Sequence, residues 1–454
     1  MNQLMKQIVL VLVLASGFML GACGVGSNRP TPTGKASIMA INAIHGSPSL
    51  NFLIEETTIG QVPYKGASTV ASYDDLDFTF NFDTFFAGDT ALTRIASQHI
   101  DFVANQHYTL VATGTIAAPV LTLWEETQRD FVDTDTVFQA RFAHTSDQFG
   151  ASSIDVYFAL NGVAPVLGEQ VATLNFGEIS APLDFEADDY VITITTGGDP
   201  ADVLYTSRPT TVLPRTDLII TPFDGDANDT TSLVVRGFSA QGGAIAFRDP
   251  LALSTVQFLH AAMEMGTTDV YDDAALNSPI LTSHAYRDLS ADIDVAAGSY
   301  EYFYTPGGDT SVVSLDTMFT AAENLHYRVT AIGSGGVYST TNNILDRRSI
   351  STAAKLLYFP ATNNFDFTDL YVVDAGAGID GQIPIRIGIT SNVPIQALEL
   401  APGSFDLYIT DFQDTAALAG PFRLDLARGD VIDMVAFDTI GNPAALDIVV
   451  YPLP

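Results

Sequence analysis

The sequence predicts an all-β chain of four tandem, antiparallel β-sandwich modules, and three features of its 454 residues support this fold class. A short apolar segment recurs at intervals of roughly 100 residues, which is the usual size of one sandwich domain. Runs of Val, Ile, Thr, Tyr and Phe alternate with clusters of Gly, Pro, Asn and Asp, which is typical of short strands joined by turns. Helical periodicity is nearly absent, so the prediction contains no helical layer.

The modules share a set of elements in the same order, although the first module lacks a clean copy of the turn and aromatic-rich strand. The apolar segment opens the module and ends in His or Pro, at Ile41–His45, Arg141–His144, Val256–His260 and Leu356–Pro360. A second strand follows at Asp155–Tyr157, Asp269–Tyr271 and Asp369–Tyr371, with Asn51–Leu53 as a degenerate first copy. A turn and an aromatic-rich strand come next, at Ala187–Val191, Ala297–Glu301 and Pro402–Asp406. A polar turn and one more strand close the module, at Asn105–Leu110, Asn324–Val329 and Arg428–Ile432.

The second strand of the second module shows how such strands pack. Ile154, Val156 and Phe158 point to one face of a sheet, while Asp155 and Tyr157 point to the other. A sheet with one apolar face has to bury that face against a second sheet, which predicts a two-layer, immunoglobulin-like sandwich. The links between modules are short and partly charged, so we expect a semi-flexible array.

The N-terminus has the order of a signal peptide. Lys6 precedes an uninterrupted apolar run that starts at Ile8, and small residues lead to Cys23, the single cysteine. The run is shorter than the roughly 20 apolar residues of a membrane-spanning helix. Leu20-Gly21-Ala22-Cys23 resembles the lipobox of bacterial lipoproteins, which implies cleavage before Cys23 and acylation of its sulfur and its new amino group. Gly24 stands where an Asp favours inner-membrane retention in such lipoproteins, so the resemblance implies an outer-membrane anchor facing the periplasm or the cell exterior.

These features set the predicted boundaries of the chain. We expect a signal peptide at 1–22, a lipidated N-terminus and flexible tether at 23–35, and sandwich modules at 36–127, 137–248, 254–347 and 353–454. The tether is rich in Gly, Pro, Ser and Thr, a composition that buries little apolar area. Because Cys23 is used by the anchor, no disulfide is expected, and stability has to come from packing.

The composition excludes one class of partner. The chain has 53 acidic and 19 basic residues, for a net charge of −34, so it repels phosphate backbones. Nucleic acid is therefore not expected as a partner. The acidity also fits divalent-cation binding, or a surface that keeps the protein soluble.

Several of the repeated motifs resemble those of one family. His45-Gly46-Ser47-Pro48 at a strand end, the Asp-Val-Tyr strand, and the Ala-Gly-Ser-Tyr or Pro-Gly-Ser-Phe turn are similar to the domain-of-unknown-function 4397 family, whose modules occur in tandem in bacterial surface and secreted proteins. The family has no assigned reaction. The resemblance therefore implies a sandwich-like extracytoplasmic domain and no catalytic residue.

One acidic loop is a candidate cation site. Asp224, Asp226, Asn228 and Asp229 offer oxygen donors in the manner of the start of an EF-hand loop. Asp229 stands where that loop needs Gly, and Val235 stands where it needs a bidentate Glu. The two interpretations are a weak, irregular Ca²⁺ site and a solvated hairpin loop.

Two repeated residue types are further candidates. His45, His144 and His260 end the opening segment of three modules, where a His is expected to hydrogen-bond the following turn, since one ligand per module cannot hold a metal. Tyr157, Tyr271 and Tyr371 are expected to be exposed on one face of each sheet, either as a binding face or as cross-strand partners that stabilise the sheet.

No hydrolase motif occurs, neither Gly-x-Ser-x-Gly nor His-Glu-x-x-His. The sequence therefore predicts a non-enzymatic cell-envelope lipoprotein that presents four sandwich modules for interaction with a protein or a glycan. The first alternative is a structural envelope component stabilised by Ca²⁺, which would be the only cofactor. An enzyme of unrecognised type is the third hypothesis.

Overall fold

The computed structural model describes residues 30–127 and 129–453. Eight β-sheets form four two-layer sandwiches in this part of the chain, which confirms the predicted all-β class. Its helices are two single turns of 3-10 helix, η1 (Asp147–Phe149) and η2 (Met263–Met265). Within the described residues, no helix has the length and apolar character needed to cross a membrane.

Every sandwich has a front sheet, which contains its first strand, and a back sheet, which contains its second strand. Sandwich 1 has the front sheet β4-β1-β8-β9, with β5 also paired to β1, and the back sheet β3-β2-β6-β7. Its strands are β1 (Lys35–Asn42), β2 (Leu50–Ile54), β3 (Thr57–Val62), β4 (Gly66–Ala67), β5 (Ala71–Asp74), β6 (Asp77–Thr84), β7 (Thr93–Asp101), β8 (Gln106–Thr115) and β9 (Ala118–Thr127).

Sandwich 2 is the largest by strand number. Its front sheet is β13-β10-β17-β18-β19, and its back sheet is β12-β11-β14-β15 with β16 also paired to β14. Its strands are β10 (Val137–Phe142), β11 (Ile154–Leu160), β12 (Ala172–Leu174), β13 (Leu183–Glu186), β14 (Asp189–Thr196), β15 (Val203–Thr206), β16 (Thr210–Thr211), β17 (Asp217–Asp224), β18 (Leu233–Ser239) and β19 (Ala244–Phe247).

Sandwiches 3 and 4 each have two four-stranded sheets. Sandwich 3 pairs the front sheet β23-β20-β26-β27 with the back sheet β22-β21-β24-β25, and sandwich 4 pairs β31-β28-β34-β35 with β30-β29-β32-β33. The strands of sandwich 3 are β20 (Ser254–His260), β21 (Thr268–Tyr271), β22 (Leu281–His284), β23 (Ile293–Val295), β24 (Gly298–Pro306), β25 (Leu315–Ala321), β26 (His326–Ser334) and β27 (Val337–Ile344). Those of sandwich 4 are β28 (Ala354–Ala361), β29 (Phe367–Asp374), β30 (Arg386–Thr390), β31 (Leu398–Leu400), β32 (Gly403–Asp411), β33 (Ala417–Leu426), β34 (Val431–Thr439) and β35 (Asn442–Tyr451).

One strand pair in every front sheet is parallel, which differs from the predicted purely antiparallel arrangement. The parallel pairs are β1–β8, β10–β17, β20–β26 and β28–β34. The chain leaves the first strand, crosses to the back sheet and returns to the front sheet in the original direction. Parallel strands need such a long crossover connection, and the back sheet supplies it.

Each sandwich buries its own apolar core between the two sheets. Ile154, Val156 and Phe158 lie in the core of sandwich 2, as their alternation predicts. Phe52, Phe80 and Phe82 pack against each other in sandwich 1, with ring centroids 5.2 to 5.7 Å apart. Burial of these side chains is the main source of stability for each sandwich.

The outer faces of the front sheets are also buried, because the sandwiches pack in pairs. Interface 1–2 joins Met39, Ile41 and Val111 of sandwich 1 to Phe223 and Phe238 of sandwich 2. Both front sheets are thus covered on both faces.

Interface 3–4 repeats this arrangement in the second half of the chain. Leu259 and Ala261 of sandwich 3 pack against Phe359, Val435 and Phe437 of sandwich 4. Each pair of sandwiches therefore buries the same face of the repeat.

The two halves also contact each other. The backbone N–H of Ser351 donates to the carbonyl of Gly46 at 2.8 Å, and that of Ala87 donates to the carbonyl of Thr352 at 3.1 Å. The guanidinium of Arg348 donates to the carbonyl of Ser47. A semi-flexible array was therefore the wrong expectation: the sandwiches form a packed cluster, because apolar outer faces and the linker before sandwich 4 hold them together.

Candidate functional site

The loop between β17 and β18 lies where sandwiches 1, 2 and 3 meet, a region called the junction below. The ammonium of Lys65, in the turn before β4, sits 2.9 Å from the carboxylate of Asp226 and also contacts that of Asp229. The three side chains are only 8%, 4% and 11% exposed, respectively. Buried charges are tolerated when they are paired and hydrogen-bonded, and these are both.

Hydrogen bonds extend the junction to sandwich 3 and to the linker before sandwich 4. The Asn324 amide donates to Asp229 at 3.1 Å, and the Asn228 amide donates to Asp346 at 2.7 Å. Lys355 donates to the other oxygen of Asp346 at 2.6 Å. Burial opposes ionisation of Asp346, but the hydrogen bonds from Lys355 and Asn228 outweigh it and hold its pKa below the ordinary value.

The four residues of the candidate Ca²⁺ loop thus have different partners in the structure. Asp224 faces away from the others and accepts hydrogen bonds from Ser146 Oγ and from the backbone N–H of Asp147 at 3.0 Å. Asp226 and Asp229 bind Lys65, and Asn228 binds the linker. Across residues 30–127 and 129–453, no group of three or more His, Cys, Asp or Glu side chains is placed to hold a metal ion. Ca²⁺ binding by this loop stays a prediction.

The three repeated tyrosines are buried, so their predicted exposure was wrong. Tyr157, Tyr271 and Tyr371 are 5%, 4% and 5% exposed. They lie opposite Thr193, Phe303 and Tyr408, respectively, on the neighbouring strands. This placement corresponds to the second interpretation, that of cross-strand partners.

The aspartate two residues before each of these tyrosines explains the burial. Asp155, Asp269 and Asp369 lie on the same face of the sheet as the tyrosines. They are also buried, with exposed fractions of 1%, 5% and 2%, respectively. Each accepts a backbone N–H from the turn after the adjacent strand, at 2.7 Å from Gly198, 2.8 Å from Gly308 and 3.0 Å from Gln413. These turns are held against the outer face, where the tyrosines also lie. The Asp-Val-Tyr signature is therefore structural.

The strand register corrects the position of one histidine. The parallel pairing of β1 with β8 places Asn42 at the position that His144 and His260 occupy in sandwiches 2 and 3. His45 is exposed and lies three residues farther along the chain, beyond the end of β1. Asn42 and His260 both bond the following segment, Asn42 through Ser47 Oγ at 2.9 Å and His260 through the carbonyl of Gly266 at 2.6 Å.

The loop after β11 carries exposed apolar side chains, which form the sandwich 2 patch with one residue of β15. Val163, Val166 and Leu167 are 57%, 50% and 59% exposed, and Val203 is 48% exposed. Part of this loop lines a groove of about 460 Å³ together with Val203 and Pro250. Val163 and Val203 thus line the same groove, and exposed apolar side chains that lie together are candidates for an interaction site. In the sequence, the signal for this patch is that the residues of this loop differ from those of the corresponding loops in the other modules.

The predicted lipidation site, Cys23, and the residue after it, Gly24, lie outside the described residues.

Three comparisons with known proteins bear on this chain, and the family match concerns the first module and the start of the second. Residues 36–157 match the model of a family described as "Domain of unknown function (DUF4397)", which confirms the resemblance for this part of the chain. The match covers sandwich 1 and continues through β10 into the first half of β11 of sandwich 2. No curated protein matches the chain. A solved structure titled "The Bacillus anthracis TIE protein" is similar over 89% of this chain and 69% of that chain, with 9% identity and a TM-score of 0.15, a value too low to support an argument.

Proposed function

We propose that this chain is a non-enzymatic cell-envelope lipoprotein that presents a packed cluster of four sandwiches for binding a protein or a glycan. The observation that carries the proposal is the sandwich 2 patch. Val163, Val166 and Leu167 expose apolar surface on a chain of net charge −34. Loops at the end of a sandwich, held by a rigid scaffold, are where recognition usually occurs.

The packing of the sandwiches supports a binding role. Contacts such as Lys65 with Asp226, and Asn324 with Asp229, fix the orientation of sandwich 2 relative to sandwiches 1 and 3. A surface that is already ordered loses less conformational entropy when a partner binds. The buried charged side chains also have structural partners: Lys65, Arg328 and Lys355 each contact a carboxylate.

The envelope location rests on the N-terminal resemblance to lipoproteins. Two or more acyl chains on Cys23 would give stable attachment, since each buried methylene contributes about 0.8 kcal/mol. In that arrangement the tether at residues 24–34 separates the acyl chains from sandwich 1. The sandwich 2 patch is then available on the aqueous side of the membrane.

One experiment with Cys23→Ser tests both the lipid anchor and the binding role of the sandwich 2 patch. The variant is expected in the soluble fraction of cells, whereas the parent chain is expected with the membranes. The purified variant is then mixed with the envelope fraction of cells that lack the gene, and co-sedimentation is measured. Adding Val163→Asp and Leu167→Asp is expected to reduce co-sedimentation at least tenfold, because charge is placed in the apolar patch.

The matched control adds Val312→Asp and Val313→Asp, which change two exposed valines of sandwich 3 that are 53% and 45% exposed. Protease treatment of the envelope fraction removes a protein partner, and periodate treatment removes a glycan. Equal co-sedimentation of the patch variant and the control variant contradicts a binding role for the patch. Retention of Cys23→Ser in the membranes of whole cells contradicts the anchor.

A further inference from the structure

A cavity of about 530 Å³ lies beside the junction, between sandwiches 1, 2 and 3. The turn around Pro63 and Tyr64 forms one wall, and the turn before β26 forms another. Strands β18 and β19 of sandwich 2 supply the third wall through Val234, Arg236 and Ala246. Its volume is within the range of cavities that bind small molecules, and such sites occur preferentially where domains meet.

The alternation of β18 places Arg236 in this cavity. Leu233 and Val235 point into the core of sandwich 2, where they are 2% and 1% exposed, so Val234 and Arg236 face the opposite way. Ala246 lies directly across from Arg236 on β19. The side chain of Arg236 therefore leaves the sheet beside Val234 of its own strand and Ala246 of the next.

Arg236 differs from the other cations of the cavity in having no partner. Lys65 is held by Asp226 and Asp229, and Arg248 contacts Glu323 at 3.3 Å. Arg348 donates to a carbonyl of sandwich 1. In the part of the chain that the structure describes, the Arg236 side chain makes neither an ion pair nor a hydrogen bond.

The surroundings of Arg236 favour an added negative charge. Burial lowers the pKa of Arg236 below its ordinary value, and the nearby carboxylates of Asp229 and Asp226 only partly compensate. Both of these carboxylates are already bound to Lys65. A half-buried guanidinium with five unused N–H donors is stabilised by an oxyanion that accepts from two of them.

We propose that this cavity binds a small organic carboxylate, with its carboxylate paired to Arg236 and its aliphatic chain against Val234 and Ala246. The planar fork of a guanidinium matches a carboxylate in two parallel hydrogen bonds. Four cations and four carboxylates line the cavity, so its lining is neutral overall, and the bound carboxylate pairs with Arg236 alone. A monoanion adds one negative charge to this lining, whereas a phosphate dianion adds two beside four carboxylates. This site is separate from the sandwich 2 patch and goes beyond the proposed function.

The test is calorimetric titration of the full chain at constant ionic strength. The probes are acetate, hexanoate, hexanamide and inorganic phosphate. Hexanoate is expected to bind at least tenfold more tightly than acetate, because its chain fills apolar space. Hexanamide, which has the same size without the charge, is expected to bind at least tenfold more weakly than hexanoate.

Two variants locate the site. Arg236→Gln is expected to weaken hexanoate binding at least tenfold, and Arg386→Gln, at an exposed arginine of β30, is the matched control with unchanged binding. Ala246→Trp fills the cavity while keeping Arg236, so it is expected to abolish hexanoate binding with little change in melting temperature. If Arg236→Gln does not fold, hexanoate binding to Ala246→Trp still tests the proposal. Equal binding of hexanoate and hexanamide, unchanged binding to Arg236→Gln or Ala246→Trp, or phosphate binding as tight as hexanoate binding overturns the proposal.

Discussion

Interface 1–2 and interface 3–4 both join two front sheets through an apolar cluster, but they enclose different sets of charged side chains. Interface 3–4 contains balanced pairs, a partly exposed one between Arg287 and Asp447 and a buried one between Arg328 and Asp433. Arg328 donates to both carboxylate oxygens of Asp433, with one N–O distance of 3.1 Å, and both side chains are 2% exposed. The pair is therefore neutral overall and fully removed from water.

Interface 1–2 contains more acid than base. Glu126 lies 3.3 Å from Arg141, and both side chains are nearly buried. Asp217 is also buried nearby, and one of its oxygens has no hydrogen-bond partner among the described residues. Burial, and then the charge of Asp217, raise the pKa of Glu126 above its ordinary value of 4.5, against the attraction of Arg141. Burial likewise raises the pKa of Asp217.

The difference shows that the apolar contacts are common to the two interfaces, whereas the charged contacts are specific to each. The apolar part recurs because every front sheet has the same alternation and the same strand order. The charged part does not recur, since Arg141 belongs to β10 whereas Arg328 belongs to β26. The excess of buried acid in interface 1–2 raises the pKa of Glu126 and of Asp217, so this interface takes up protons as the pH falls.

The largest expected effect comes from breaking the balanced pair with Arg328→Met. Asp433 is then left buried without its partner, which is expected to cost about 3–5 kcal/mol. Native-state hydrogen exchange of the β26 and β34 amides measures this loss as a lower opening free energy. The double variant Arg328→Met with Asp433→Leu is expected to recover most of it, because an apolar pair can replace a buried ion pair. A loss in the single variant no greater than in the double variant would show that the pair is hydrated.

The second effect is the pH dependence of interface 1–2, tested with Glu126→Gln. Since folding raises the pKa of Glu126, the folded state binds its proton more tightly, and stability falls as the pH rises from about 4.5 towards neutrality. The glutamine variant avoids an ionised buried group, so it is expected to be about 2 kcal/mol more stable than the parent at pH 7.5. The gain is expected to vanish near pH 4.5.

Urea midpoints at the two pH values measure this difference, and Glu125→Gln is the matched control, because Glu125 is exposed on the same strand. A glutamine variant that is equally stable relative to the parent at both pH values is incompatible with the raised pKa.

The sandwiches themselves could be predicted because the residues that specify each strand are close together in the sequence. The alternation through Ile154, Val156 and Phe158, and the repeat of the same elements, specify strands with one buried face. The pairing of sandwiches was missed, although the sequence contains a signal for it. In β1, Ile38 and Ala40 face the core while Met39 and Ile41 face sandwich 2. A nearly continuous apolar strand of this kind is typical of a sheet that is covered on both faces.

The junction and the cavity could not be predicted to the same extent, because they join residues that are far apart in the chain. Lys65 meets Asp229 across more than 160 positions. The scarcity of lysine was a usable signal, since Lys65 and Lys355 are two of only four lysines and both are buried beside the junction. The histidine register failed for a local reason: Ile44 extends the apolar pattern past the end of β1, so His45 appeared to end the strand.

The smallest expected effect concerns one hydrogen bond across interface 3–4. The hydroxyl of Tyr286 donates to the carbonyl of Asp438 at 2.8 Å, and its ring packs edge-on against Phe437 with centroids 5.6 Å apart. Tyr286→Phe removes the hydroxyl and keeps the ring, so we expect a loss of about 1 kcal/mol, because one of the two donors to the Asp438 carbonyl is lost while Arg287 still donates to it at 3.0 Å. Tyr300→Phe is the matched control, since its hydroxyl donates to the carbonyl of Ala296 over the same 2.8 Å at an exposed site. Water replaces that bond, and the control is expected to change the free energy of unfolding by less than about 0.5 kcal/mol. Equal losses in the two variants, measured by urea unfolding, would mean that water reaches the Tyr286 hydroxyl and that interface 3–4 is open at this position.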